Sequence, residues 1–248
     1  MSIAESTSVT GGTEAAGVGV QARASATARV RANDCALYGV ASAAAFLALA
    51  ALMIGGVSMA FTAAAGTSTA GVLVAIGNNP WPFLTGGVGL ALVSLFDIFT
   101  IPGLHAALGR HGRVLILLAS VLAIIGDLLG ILGRLAQTAL VPVGLQAATA
   151  GQTELLAAGN VLSVLDTTIN TAGFVLVSAS FTCFGLLMLR GFSRTVGWIA
   201  IVAGVFTLLG QIPLLAPLFM VANVAYIAWY VGIGRRFWQA ARQSTARE

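Results

Sequence analysis

Two aspartates stand where an aspartate is costly. Asp97 lies within SLFDIFTIPGLHAAL and Asp127 within VLILLASVLAIIGDLLGILGRLA, both otherwise apolar through their central turns. An acidic side chain at the centre of a membrane helix costs about 2.5–3.5 kcal/mol on insertion scales. Aspartate is too short to reach the headgroups, so each must be neutral, paired or hydrated. Shielding from water disfavours the charged carboxylate. Such a group keeps a proton to give, which is the chemistry of a general acid. Asp97 and Asp127 are therefore the candidate catalytic residues. Five further polar side chains lie in or beside apolar segments: Arg134, Asp166, Asn170, Gln211 and Asn223. Arg134 falls two turns beyond Asp127 on the same helical face, and Asp166 and Asn170 share a face at a spacing of four. They are the candidate ligand-binding residues.

The elements that must position these groups are membrane helices. Hydrophobic residues make up 58% of the chain and charged residues 8%, against roughly 45–50% and about 25% in soluble domains. Too few charges remain to cover a water-facing surface. Apolar runs long enough for a hydrocarbon core of about 30 Å recur along the chain. The sequence predicts six of them: Cys35–Ala63, Phe83–Leu108, Val114–Ala136, Val161–Leu189, Thr195–Leu215 and Leu218–Gly234. The fold class is an all-α six-transmembrane-helix bundle. Residues 1–33, rich in Ala, Ser, Thr and Gly, read as a disordered cytoplasmic tail. Residues 34–238 form the membrane domain, and 239–248 a second cytoplasmic tail. No signal peptide is visible. GVLVAI (Gly71–Ile76) is too short to span and is expected at the membrane surface. Asn78-Asn79-Pro80-Trp81-Pro82 breaks the chain ahead of the second helix, Pro102 predicts a kink within it, and residues 137–160 read as a connection.

Arginine placement orients this topology. All 12 basic residues are arginine. With the N-terminus inside, the tail (Arg23, Arg29, Arg31), the two tight turns (Arg110 and Arg113; Arg190 and Arg194) and the C-terminal segment (Arg235, Arg236, Arg242, Arg247) are all cytoplasmic. The external loops hold none, as the positive-inside rule requires. Both termini are thus expected in the cytoplasm of a multi-pass protein of the cell membrane. At about 1.5 Å per residue, Asp97 falls near the midplane and Asp127 slightly outside it. Arg134, Asp166, Asn170, Gln211 and Asn223 fall in the outer half. The expectation is an outward-facing polar pocket with Asp97 at its floor. Gly126 and Gly130 form GxxxG, a helix-packing signal.

Other chemistries lack their residues. His105 and His111 are the only histidines, too few for a three-ligand histidine zinc site and poorly placed for a bis-histidine haem. No HExxH, GxSxG or P-loop occurs, and Gly86-Gly87-Val88-Gly89 follows no strand. Cys35 and Cys183 lack metal or CxxC spacing and read as packing residues. No cofactor is expected. The basic stretches, Arg235-Arg236-Phe237-Trp238 above all, suit anionic headgroups rather than nucleic acid, so the lipid bilayer is the expected partner. The sequence does not fix an oligomeric state.

Three stretches, ALYGVASAAAFLALAALMIGG, SLFDIFTIPGLHAAL and FGLLMLRGFSRTVGWIAIVAGVFTLLG, together resemble a bacterial integral-membrane family, domain of unknown function 4386. In the last stretch the shared features are Phe184-Gly185, a short basic turn, Gly197 and Ala203-Gly204. The turn departs from the family pattern in placing Ser193, not proline, before Arg194. Arg134 lies nearer the helix end than the family's arginine. The resemblance covers about Cys35–Trp238 and implies a six-helix bundle, with no activity or catalytic residues attached. The leading functional expectation is a non-enzymatic membrane protein that binds or moves a small lipophilic molecule through the outward pocket. The rival is an intramembrane enzyme in which Asp97 or Asp127 protonates a lipophilic substrate, as in membrane-embedded terpene cyclases, an analogy of mechanism and not of motif. The third is a structural or accessory subunit.

Overall fold

The computed structural model describes residues 35–58, 68–150 and 153–245, and these are helical with short turns. We number the helices α1 (Cys35–Ser58), α2 (Thr69–Asn78), α3 (Trp81–Leu108), α4 (Arg113–Ala150), α5 (Thr153–Gly191), α6 (Arg194–Gly210) and α7 (Leu218–Thr245). A 3-10 turn, Pro213–Leu215, precedes α7. The expected tail at residues 1–33, and the stretch 59–63 expected to end the first helix, lie outside the described residues.

Five helices, α1, α3, α4, α5 and α7, are long and apolar enough to cross a membrane. Their outer faces agree. Leu117, Val121, Ile124, Leu128, Leu132 and Leu135 form a stripe on α4 that is 37–55% exposed. Such a stripe is untenable in water and natural against lipid. α6 has 17 residues, about 25 Å at 1.5 Å per residue.

Helix pairing follows from small residues that let backbones meet. A β-carbon on Gly89 would lie 2.9 Å from Gly55 Cα, and one on Gly103 would collide with Ala41, so α1 and α3 run antiparallel in contact. Gly126 meets Val177 and the Gly173 carbonyl, Gly130 meets Ser94, and Gly133 meets Asn170, which locks α4 between α3 and α5. Gly185 against Gly197, and Gly204 against Ser178, pair α5 with α6. α7 closes onto α1 through Ser42 Oγ, which donates to the Gly234 carbonyl at 3.0 Å, and through the Tyr38–Phe237 ring stack. One apolar core runs through these contacts, with Trp229, Tyr230, Phe237, Leu187 and Met188 at its centre. The registers gather Arg110, Arg113, Arg190, Arg194, Arg235, Arg236 and Arg242 at one end of the bundle.

The structure corrects several expected boundaries. Residues 137–150, read as a connection, continue α4 to 38 residues, and α5 begins eight residues early and reaches 39. Both are nearly twice the length a hydrocarbon core of about 30 Å requires. The extra turns exist because they bury something. Leu140 and Val141 of α4 join Leu73 and Ile76 of α2 and Phe83 of α3 in a second apolar cluster. Gly144 and Gly159 bring α4 and α5 against Leu73 and Ile76. Leu73 and Ile76 within GVLVAI are thus the buried face of α2, a helix that Ser68 caps by accepting from the Gly71 amide, and the segment is not free at the surface. Pro142 is absorbed within α4. α6 stops earlier than expected because Pro213 lacks the amide needed to extend it and disfavours helix in Ile212. α7 runs on to Thr245, through most of the segment expected as a tail, and ends in a contact of Arg242 with the Trp238 ring at 3.9 Å.

The close contact at Gly126 gives a direct test. Gly126→Ala places a methyl 2.9 Å from the Val177 backbone nitrogen and should cost about 1–3 kcal/mol in detergent unfolding. Gly39→Ala, with nothing within 4 Å, should be neutral or slightly stabilising.

Candidate functional site

Asp97 and Asp127 come to the same level of the bundle from opposite directions. The contacts of Gly87 with Thr138 and of Gly130 with Ser94 set the α3–α4 register, and in that register the two aspartates are level. Each lies about 20 Å along its helix from the basic end, near mid-depth. Asp97 is 8% and Asp127 4% exposed.

Their hydrogen-bond partners come from α3 and α7. Tyr230 of α7 donates its hydroxyl proton to Asp97 Oδ2 at 2.7 Å. Ser94, one turn before Asp97 on α3, hydrogen-bonds Asp127. Thr100 Oγ1 donates to the Asp97 carbonyl at 2.8 Å, tying the helix next to the acid. Asp97 and Asp127 are within electrostatic reach of each other. Arg134, about 10 Å further along α4 from Asp127, gives its Nη1 proton to Gln137 Oε1 at 3.0 Å and attracts Asp166. Among the described residues no cation is bonded to either carboxyl of the pair. Two carboxylates so close, with no bound countercharge, cannot both carry charge cheaply; at least one is expected to hold a proton.

Beside the pair is a cavity of about 10 Å³ lined by Asp97, Asp127, Thr100, Ser180, Phe181 and Trp229, among others. Ser180 crosses from α5 to donate to the Ala119 carbonyl of α4 at 2.8 Å. Phe181 stacks tilted on Trp229 at 4.5 Å between centroids, which keeps the floor aromatic. Asp97 Oδ1 and Trp229 Nε1 are buried without a partner among the described residues. Burying such an atom unpaired costs about 1–3 kcal/mol.

The five outer candidates divide. Asn170 donates to Asp166 Oδ1 one turn away on α5, packs on Gly133, and with Arg134 forms a polar seam between α4 and α5. Gln211 donates to the Thr207 carbonyl at 3.3 Å and Asn223 to the Phe219 carbonyl at 3.0 Å, each on its own chain segment and not to that seam. Sequence reasoning missed the α7 contribution: Tyr230, Trp229 and Tyr226, whose hydroxyl lies 3.2 Å from Thr207 Oγ1. A signal existed. Tyr226 falls midway along an apolar helix, and a phenol there needs a partner just as an amide does.

Tyr230→Phe removes the Asp97 donor and should cost about 1–3 kcal/mol in detergent unfolding, against about 0.5–1.5 kcal/mol for Tyr226→Phe. Equal losses would show that the bond to the acid is energetically ordinary.

No curated protein and no solved structure matches the chain. The profile of the family described as domain of unknown function (DUF4386) matches residues 40–237, the stretch from α1 to α7 that carries every residue of the acid pair and its partners. The chain belongs to the DUF4386 family.

Proposed function

We propose that the protein is a six-span protein of the bacterial inner membrane with both termini in the cytoplasm, and that it binds or moves a small lipophilic molecule at a site that holds a proton. α6 supports the sixth span. It runs antiparallel to α5 and α7 along its own length, and 17 residues lie at the short limit of a spanning helix, about 17–25. The cluster of seven arginines at one end supports the orientation. A fluorescent protein appended at the C-terminus should glow, and alkaline phosphatase at the same place should be inactive; the reverse pattern would overturn the topology.

The observation that carries the functional reading is the Asp97–Asp127 pair at mid-depth, held by Tyr230 and Ser94 and without a bonded cation among the described residues. Acids at this depth are retained for what they do, because they cost stability. Arg134, Asp166 and Asn170 form the polar seam between α4 and α5 on the side of the acid pair away from the basic end. Gln211 and Asn223 are further candidate ligand contacts near the ends of α6 and α7. The cavity of about 10 Å³ is far below the roughly 300–1,000 Å³ of a drug-sized ligand site. A ligand of that size therefore enters only if the helices around the acid pair move apart. Native mass spectrometry of the purified protein should show a lipophilic adduct that Asp97→Asn with Asp127→Asn removes. The same adduct on both proteins, or none on either, would sink the reading.

One observation favours intramembrane acid catalysis as the second reading. The acids share their cavity with Phe181, Phe184 and Trp229, and aromatic faces stabilise cations of the kind formed when an alkene is protonated. In that case the molecule extracted from the wild-type protein should be an isomer of the one extracted from Asp127→Asn, equal in mass and separable from it by chromatography.

A further inference from the structure

The cavity beside the acid pair measures about 10 Å³, roughly the room one water molecule needs. Asp97, Asp127 and Trp229 all border it. Asp97 Oδ1 and Trp229 Nε1 are buried and have no hydrogen-bond partner among the described residues. An indole N–H can only donate, and a carboxylate oxygen can only accept. Whatever joins them must accept from the first and donate to the second. A metal ion is repelled by the N–H, and an anion is repelled by the carboxylate. Water meets both demands and keeps a lone pair for a proton from Asp127.

We propose that this cavity is a water site and that its water relays a proton between Asp127 and Asp97. This rests on the reading of the pair as a proton-holding site. In the step, protonated Asp127 releases its proton to the water oxygen as the water releases one of its own to Asp97 Oδ1. One O–H bond breaks at Asp127 and one forms on the water; one breaks on the water and one forms at Asp97. The water is regenerated and the charge of the pair is unchanged. Trp229 is a positioning residue: its N–H fixes the oxygen between the acids. Tyr230 stays on Asp97 Oδ2 and Ser94 on Asp127, so neither acid loses its protein partner during transfer.

Infrared difference spectra of the full chain between low and high pH, in ordinary and in ¹⁸O water, test this. The expected result is carboxyl bands that Asp97→Asn and Asp127→Asn each remove, with one ¹⁸O-sensitive water band lost in Trp229→Phe. A wild-type spectrum without an ¹⁸O-sensitive band overturns the relay, whatever the variant does. So does a water band that survives Trp229→Phe. Absence of any carboxyl band removed by the aspartate variants sinks the proton-holding reading itself, a separate outcome.

Discussion

A carboxyl group inside hydrocarbon needs a partner, and this bundle is arranged to provide two such groups with partners at once. Asp97 and Asp127 sit on neighbouring helices that run in opposite directions, so only one register brings them level. That register is fixed where Gly130 leaves room for Ser94, the residue that bonds Asp127. The same contact that sets the helices thus supplies the acid's partner. On the far side Tyr230 reaches Asp97 from α7, and α7 can approach because α1 is held against it by Ser42 and Tyr38. Removing the acids would leave the glycine contacts intact. Removing the glycine contacts would leave the acids unpartnered.

The glycines also explain how a chain with so few polar residues holds together. In lipid there is no hydrophobic drive to bring apolar helices together, and close packing must do it. Gly55 on Gly89, Gly126 on Gly173 and Gly185 on Gly197 are backbone-to-backbone approaches of that kind, one between each of three helix pairs.

Much of this was legible from sequence. The apolar runs located α1, α3, α4, α5 and α7, because hydrophobic length is set by the bilayer. Asp97 and Asp127 stood out from the sequence because charge is rare at depth, and the structure buries both at one level. The boundaries of α4 and α5 were not, since residues 137–150 carry too many small and polar residues to read as membrane helix. What keeps them helical is contact with Leu73 and Ile76 some seventy residues away, and no local pattern announces that. Tyr230 and Trp229 were missed for a related reason: aromatic residues in a membrane helix read as interface anchors or core until a register shows what their polar tips face.

The long α4–α5 pair has a mechanical consequence. It is one stiff body that begins at the basic end, passes the acid layer and continues into the cap formed with α2. Its two helices meet through Gly126, Gly130 and Gly173 at the level of Asp127, where interlocked backbones resist sliding. The longer arm of the pair lies beyond the acid layer, on the side away from the basic end. Whatever grips the α2 cap therefore bears on the same packed pair that carries Asp127.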